Sequence, residues 1–428
     1  MPISQPRSPE VYLNLNVRGM GPSATLAINE RSRQLVAEGR QIYRLGLGQS
    51  PFPVPPHVRD SLAQNAHQKD YLSVKGLPAL RQAVVDWAKR TEGLDYSPDN
   101  VLVGPGTKEL MFLVQLVYYG DLVIPSPSWV SYAPQARIIG RNIQWLRTRP
   151  ETGLGVEPEA LEELCAQDPE RPRLLILNSP SNPTGLCYDA EQLQALADVL
   201  RKYRVLALSD EIYSGTHYSD DHVSLARFYP EGTIISNGLS KWCGAGGWRL
   251  GFFIFPQSLS WLADAMAAVA SETFTSTSAP IQYAAVTALE DRQEMRDYML
   301  HGRQILAALA GHAYRTLSDA GAVLSQPGGG FYLFPRFEHH RPGLASRGIA
   351  NGQDFGERLL EETGIAVLPG NCFGRPTQEL SARLAIVDFD GTMALQKAET
   401  ETVDENFVRR HCDRVTTAVE RLAEWASA

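Results

Sequence analysis

LLILNSPSNPTGLCYDAEQLQALADVLRKYRVLALSDEIY, residues 174–213, holds an aliphatic run, a turn punctuated by proline and glycine, an amphipathic stretch and a second aliphatic run. From Ala190 onward, Leu193, Leu196, Val199 and Leu200 recur at helical spacing while Glu191, Gln194, Arg201 and Lys202 face the other way. The short aliphatic runs on either side read as strands. Strand, helix, strand in that order is the repeating unit of a mainly parallel sheet wrapped by helices on both faces, so the fold class is α/β.

Working outward, further strands are expected at 100–103, 122–124, 233–236 and 250–255, and helices at 25–38, 77–90, 109–117 and 258–269. Residues 1–22, rich in Pro, Ser and Asn, read as an extended arm, and the prolines of GLGQSPFPVPP (46–56) mark a passage between domains. A long helical segment over 280–320 bridges to a smaller α+β unit whose strands come from GGGFYLFPRF (328–337) and SARLAIVDF (381–389). The acidic run AETETVDENF (398–407) reads as a solvated loop before a last helix at 408–425. The expected division is therefore an arm and part of a small domain (1–53), a large domain (54–320) and the remainder of the small domain (321–428).

A 428-residue chain with 43% hydrophobic and 21% charged residues has the material for a large core. Its net charge of −8 gives no electrostatic footprint for nucleic acid or an anionic membrane. No apolar run approaches the roughly 18 residues that a membrane span requires. Five scattered cysteines, Cys165, Cys187, Cys243, Cys372 and Cys412, show neither a disulfide framework nor zinc-ligand spacing, so no metal is expected and a reducing compartment, the cytoplasm, is.

Three motifs each follow a strand: SPSNPTG (179–185), SDEIY (209–213) and NGLSK (237–241). Ligands of open parallel sheets bind at the carboxyl ends of the strands, so Asn182, Asp210, Tyr213 and Lys241 are delivered to one rim. Singly, each has an ordinary reading: a solvated lysine, a Pro-Gly turn, an acidic helix cap. Together, in this order, they would demand several coincidences.

With SKWCGAGGWRLG (240–251), and Arg383 in SARLA, these motifs resemble the class I/II aminotransferases, a family of fold-type I enzymes dependent on pyridoxal 5′-phosphate (PLP). The similarity runs from about Ala24 to Asp388 and takes in LGLGQSPF (45–52), YLSVKGLPALR (71–81), GPGTKEL (104–110) and SPSWVSY (126–132). The resemblance implies a large PLP-binding domain and a smaller α+β domain. It implies that Lys241 holds PLP as a Schiff base and, once released, moves the substrate's α-proton. A lysine suits that role only if its pKa, about 10.4 when unperturbed, is brought down.

By the same resemblance Asp210 pairs with the pyridine nitrogen, Asn182 and Tyr213 donate to the cofactor's phenolate oxygen, and Trp129 stacks on the ring. Gly106, Thr107, Lys108, Ser240 and Arg249 take the phosphate, joined by Tyr71 from a neighbouring subunit of a homodimer with shared sites. Arg383, Asn182 and the backbone near Gly48 hold the substrate's α-carboxylate. Two departures stand out: relatives commonly carry a phosphate-binding serine where this chain has Gly238, and Glu-Pro-Asp where it has Gln49-Ser50-Pro51.

The expected activity is transfer of an amino group between an L-amino acid and a 2-oxo acid by a ping-pong route. C–S β-elimination, cyclisation to an aminocyclopropane acid and amino-acid oxidation remain open on the same scaffold. A non-catalytic regulatory domain is disfavoured, since neither end offers a basic DNA-binding module and Lys241, Asp210 and Arg383 are all retained. Leu26, Tyr332 and Tyr71 are candidates for contact with the substrate side chain, with core packing the simpler reading of the first two. The substrate itself is not legible.

Overall fold

The computed structural model describes residues 12–21 and 23–428. Its large sheet has strands β1 (Val101–Gly104), β2 (Asp121–Ser126), β3 (Ile143–Arg147), β4 (Arg173–Asn178), β5 (Leu206–Asp210), β6 (Thr233–Gly238) and β7 (Gly251–Ile254). They lie in the order β1-β7-β6-β5-β4-β2-β3. Neighbours are parallel except β7, which runs antiparallel to both β1 and β6.

Side-chain alternation explains why these strands are aliphatic throughout. Leu174, Ile176, Leu206 and Leu208 pack on one face against Leu110, Leu113 and Val114 of the helix Thr107–Val117 and Leu262 and Met266 of Ser260–Thr273. Leu175, Leu177 and Ala207 pack on the other against Leu193, Leu196 and Leu200 of Ala190–Lys202. A strand buried on both faces has no polar side to show, so its sequence is a continuous apolar run rather than an alternation. The Ala190–Lys202 helix begins in a capping box, with Asp189 accepting from the Gln192 amide and Gln192 reaching back to Asp189.

A second core gathers Tyr43, Leu45 and Phe52 with Ile305, Leu309 and Leu317 of the helix Gln293–Asp319 and with Phe331, Phe337, Leu384 and Val419. Around it Leu368–Pro369, Ala382–Ala385 and Tyr332–Leu333 form an antiparallel sheet, and Tyr43–Arg44 pairs in parallel with Ile365–Ala366. The core thus joins residues before 53 to residues beyond 321.

Several expectations need correction. Strand β3, IQWLR, was not anticipated: it lies at the sheet edge, is largely half-buried and lacks the unbroken aliphatic signature. The helical segment over 280–320 is two helices, Ala279–Leu289 and Gln293–Asp319. The last helix is likewise two, Glu405–His411 and Asp413–Ser427, with Asp404 of the acidic run capping the first through the Phe407 amide. Of the arm expected over 1–22, residues 1–11 and 22 lie outside the described residues. Over 14–20 the chain turns back on itself, with the Val17 and Arg18 amides donating to the Asn14 carbonyl. Among the described residues no helix is long and apolar enough to cross a membrane.

Candidate active site

The carboxyl ends of β4, β5 and β6 meet at one rim. Asn178 pairs with Asp210 across β4 and β5, and Asp210 with Ser236 across β5 and β6. Past β4, the Asn178 side chain accepts from the Asn182 amide at 2.6 Å and donates to the Asp210 carbonyl at 2.7 Å, locking the SNPTG turn to the end of β5. Gly185 closes that turn at φ +72°, where a Cβ would lie 2.7 Å from the Tyr332 carbonyl oxygen. A residue other than glycine would open the approach of the two units.

At the end of β5, Asp210 and Glu211 part company. Glu211 turns away and accepts from the Ser209 and Ser224 hydroxyls at 2.8 and 2.6 Å. Asp210 turns into the site, where its Oδ2 accepts from the Tyr132 hydroxyl at 2.5 Å while its Oδ1 is buried without a partner. Burial raises the Asp210 pKa to about 6, helped by Glu211 and opposed by the Tyr132 hydrogen bond, the Ile212 backbone amide and the Lys241 charge. Such a carboxylate is in want of a cation.

Lys241 follows β6 in a turn, its Nζ donating to the Gly48 carbonyl at 2.8 Å and lying 5.4 and 5.5 Å from the rings of Tyr213 and Phe331. Burial lowers its pKa, helped by Arg383 and Arg249 and opposed by Tyr332 and Asp210. This is the condition in which an amine is free to act as nucleophile and base.

Arg383, 1% exposed, comes from Ala382–Ala385 and meets the rim from the other unit. Its Nη1 donates to Asn182 Oδ1 at 3.1 Å and its Nη2 to the Gly46 carbonyl at 2.6 Å, while Nε is buried without a partner. Its guanidinium carbon sits 4.6 Å from the centre of the Tyr332 ring and 5.1 Å from that of Phe373. Tyr332 reaches Tyr213, hydroxyl to hydroxyl, at 2.9 Å.

A second cluster of cations lies at the start of the helix Thr107–Val117. Gly106 precedes it at φ +90°, and a Cβ there would fall 2.3 Å from Arg249 Nη2. The Arg249 guanidinium rests on the carbonyls of Gly246 and Pro105 at 2.9 and 3.3 Å. Lys108 Nζ lies 5.0 Å from the centre of the Trp129 ring, and Trp129 packs edge-on against Tyr132. Amides at a helix start with flanking cations suit a phosphate.

The structure thus brings together Gly48, Asn182, Asp210, Tyr213, Lys241 and Arg383, with Gly106, Thr107, Lys108, Trp129 and Arg249 around the helix start. Ser240 adjoins Lys241. Tyr71 is 90% exposed. Two residues were missed as site residues. Tyr132 lies within SPSWVSY with no role expected of it, and Tyr332, a candidate substrate contact with core packing the simpler reading, has no expected part in holding Tyr213 or Arg383; no local pattern distinguishes either from a packed aromatic.

The residues present fit a pyridoxal phosphate. Asp210 Oδ1 lacks a cation, the charge of Lys241, an amine of lowered pKa, reaches it electrostatically, and a cationic helix start can take the phosphate.

The family model described as aminotransferase class I and II matches residues 40–388. An aspartate aminotransferase of Geobacillus stearothermophilus is 36% identical over 84% of this chain and 91% of its own. An aspartate/prephenate aminotransferase of Cereibacter sphaeroides is 32% identical over 85% and 92%. Among solved structures, the aspartate aminotransferase of Thermus thermophilus with maleate superposes with a TM-score of 0.81 at 30% identity, covering 96% of this chain and 100% of that one.

Proposed function

The chain belongs to the class I and II aminotransferase family and is a PLP-dependent aminotransferase, and from that premise we propose that Lys241 is its Schiff-base lysine and that its amino donor is an acidic amino acid such as aspartate. The observation that carries the first part is the buried Lys241 amine, lowered in pKa, within electrostatic reach of Asp210, whose Oδ1 is unpartnered. When bound, PLP joins amines through its aldehyde and withdraws electrons from the substrate's α-carbon through its ring.

In this reading Asp210 holds a proton on the ring nitrogen, and Asn182 and Tyr213 donate to the phenolate oxygen. Thr107, Ser240 and Arg249 hold the phosphate with the helix start opened by Gly106, and Trp129 covers the ring. Arg383 grips the α-carboxylate with its planar fork, Asn182 orients that fork, and Gly48 closes over it. With the cofactor bound, Lys241 Nζ would be the base that takes and holds the proton of the substrate's α-carbon.

The acidic substrate is supported by the names of the relatives and by Lys108, which this reading moves from the phosphate to the substrate's second carboxylate: it is in no ion pair among the described residues and stands beside Trp129. A homodimer supplying Tyr71 to its partner's phosphate accounts for a tyrosine left 90% exposed. The division at 53 and 320 belongs to the same reading, supported by a core that joins the two ends of the chain, as does residence in the cytoplasm.

Borohydride reduction of the loaded enzyme followed by peptide mapping tests the lysine: the pyridoxyl label is expected on Lys241, and an unlabelled Lys241 peptide overturns the assignment. A donor screen tests the substrate. Aspartate should exceed alanine by at least about tenfold in kcat/KM, the worth of one well-placed charged contact; equal rates would remove the acidic preference.

A further inference from the structure

Tyr332 lies between Tyr213, assigned above to the cofactor, and Arg383 and Gly48, assigned to the substrate. Its hydroxyl is 2.9 Å from that of Tyr213, and its ring lies under the Arg383 guanidinium at 4.6 Å. A Cβ on Gly48 would fall 1.8 Å from its hydroxyl oxygen. The residue is 1% exposed, and Arg383, Lys241 and Asp210 are the charged groups that face the Tyr213–Tyr332 pair. A tyrosine needed only to fill volume would have no reason to bring its hydroxyl to this junction.

Proton accounting gives the contact a direction. A phenol has one proton to donate. If Tyr213 donates its proton to the cofactor's phenolate oxygen, the short contact between the hydroxyls leaves Tyr332 as the donor to Tyr213. Hydrogen bonds in series in a buried site strengthen one another. We propose that Tyr332 is a positioning residue: its hydroxyl orients that of Tyr213 toward the cofactor oxygen, and its ring holds the Arg383 guanidinium for the α-carboxylate, so that one side chain links cofactor tuning to substrate recognition. The inference rests on the assignment of Tyr213 above.

Two functions of one side chain can be separated by substitution. Tyr332→Phe removes the hydroxyl and keeps the ring; Tyr332→Leu removes both. Each variant, Tyr213→Phe and the unaltered enzyme are loaded with PLP, and the visible absorption band is titrated with pH. A donor to the phenolate favours the deprotonated chromophore, so its loss moves the midpoint upward. Tyr213→Phe is expected to raise the midpoint by about one unit and Tyr332→Phe by about half a unit. Maleate, as a carboxylate probe, should bind Tyr332→Phe within about twofold of the unaltered enzyme and Tyr332→Leu about tenfold more weakly, as the loss of a desolvated cation–π contact dictates. A midpoint that moves with Tyr213→Phe and stays with Tyr332→Phe would falsify the hydroxyl's role. Equal maleate affinity in Tyr332→Leu would remove the ring's role. A midpoint unmoved by Tyr213→Phe overturns the assignment of Tyr213, and the hydroxyl chain with it.

Discussion

Asp210 is a buried carboxylate that a proton or a bound cation relieves. One oxygen takes the Tyr132 hydroxyl, the other has no partner, and burial lifts the pKa to about 6. Because the folded pKa stands above that of the unfolded chain, the associated stability is fully present below about pH 4 and is lost as pH rises through 6. Asp210→Asn removes that titration. Without cofactor, the variant should match the unaltered protein near pH 4 and exceed it by about 3 kcal/mol near pH 8, measured by denaturant unfolding. Loaded with PLP, it should lose about 100-fold or more in kcat, since the ring nitrogen loses the charge that keeps it protonated. A variant that is no more stable without cofactor at pH 8 would mean that the carboxylate is already compensated. The sequence showed this residue because it closes a strand at the ligand rim. It could not show the role of Tyr132 or the Tyr213 contact of Tyr332, whose partners lie 78 and 119 residues away and whose neighbours in sequence look like ordinary core.

Three strand ends carry glycines that face one another. Gly251 of β7 pairs with Gly104 of β1 on one side and Gly238 of β6 on the other. A Cβ on Gly251 would fall 2.4 Å from the Thr107 amide nitrogen, and one on Gly238 would meet the Leu250 carbonyl oxygen at 2.7 Å and the Gly251 Cα at 2.8 Å. Gly238, where the family resemblance leads one to expect a serine, is therefore closely packed: in this chain the strand ends occupy the space a side chain would need. Restoring the hydroxyl should harm. Gly238→Ser is expected to lose about 1–3 kcal/mol of stability, the usual result of overpacking, and to weaken PLP binding rather than tighten it. Cofactor release followed by fluorescence decides the matter, and tighter binding would show that the strands can part. Elements of this kind were legible where both faces are buried, because a doubly covered strand leaves a continuous aliphatic run. The edge strand β3 was not, and neither were the breaks within the last two long helical stretches, which depend on local caps and turns rather than on periodicity.

At the scale of the whole molecule, one chain brings Arg383 of one unit to the strand ends of the other but leaves Tyr71 90% exposed. A phenol so exposed adds nothing to the core of its own chain, and a twofold dimer would place it, by symmetry, in an equivalent position against each partner. That arrangement has a consequence that a self-contained site lacks. A chain bearing Lys241→Ala keeps a good Tyr71, and a chain bearing Tyr71→Ala keeps a good Lys241. Each homodimer is defective at both of its sites. In a hybrid, one site combines Lys241 of one chain with Tyr71 of the other and is whole, while the second site carries both defects. Dissociating and reassociating an equal mixture should make about half the dimers hybrid, so activity should climb to about a quarter of that of the unaltered enzyme. If each site were built from one chain alone, mixing would give only the average of the two parents. Parental mixtures held without exchange give that average directly, so a rise that appears only after subunit exchange assigns Tyr71 to the partner's site, and the lack of one returns it to the surface of its own chain.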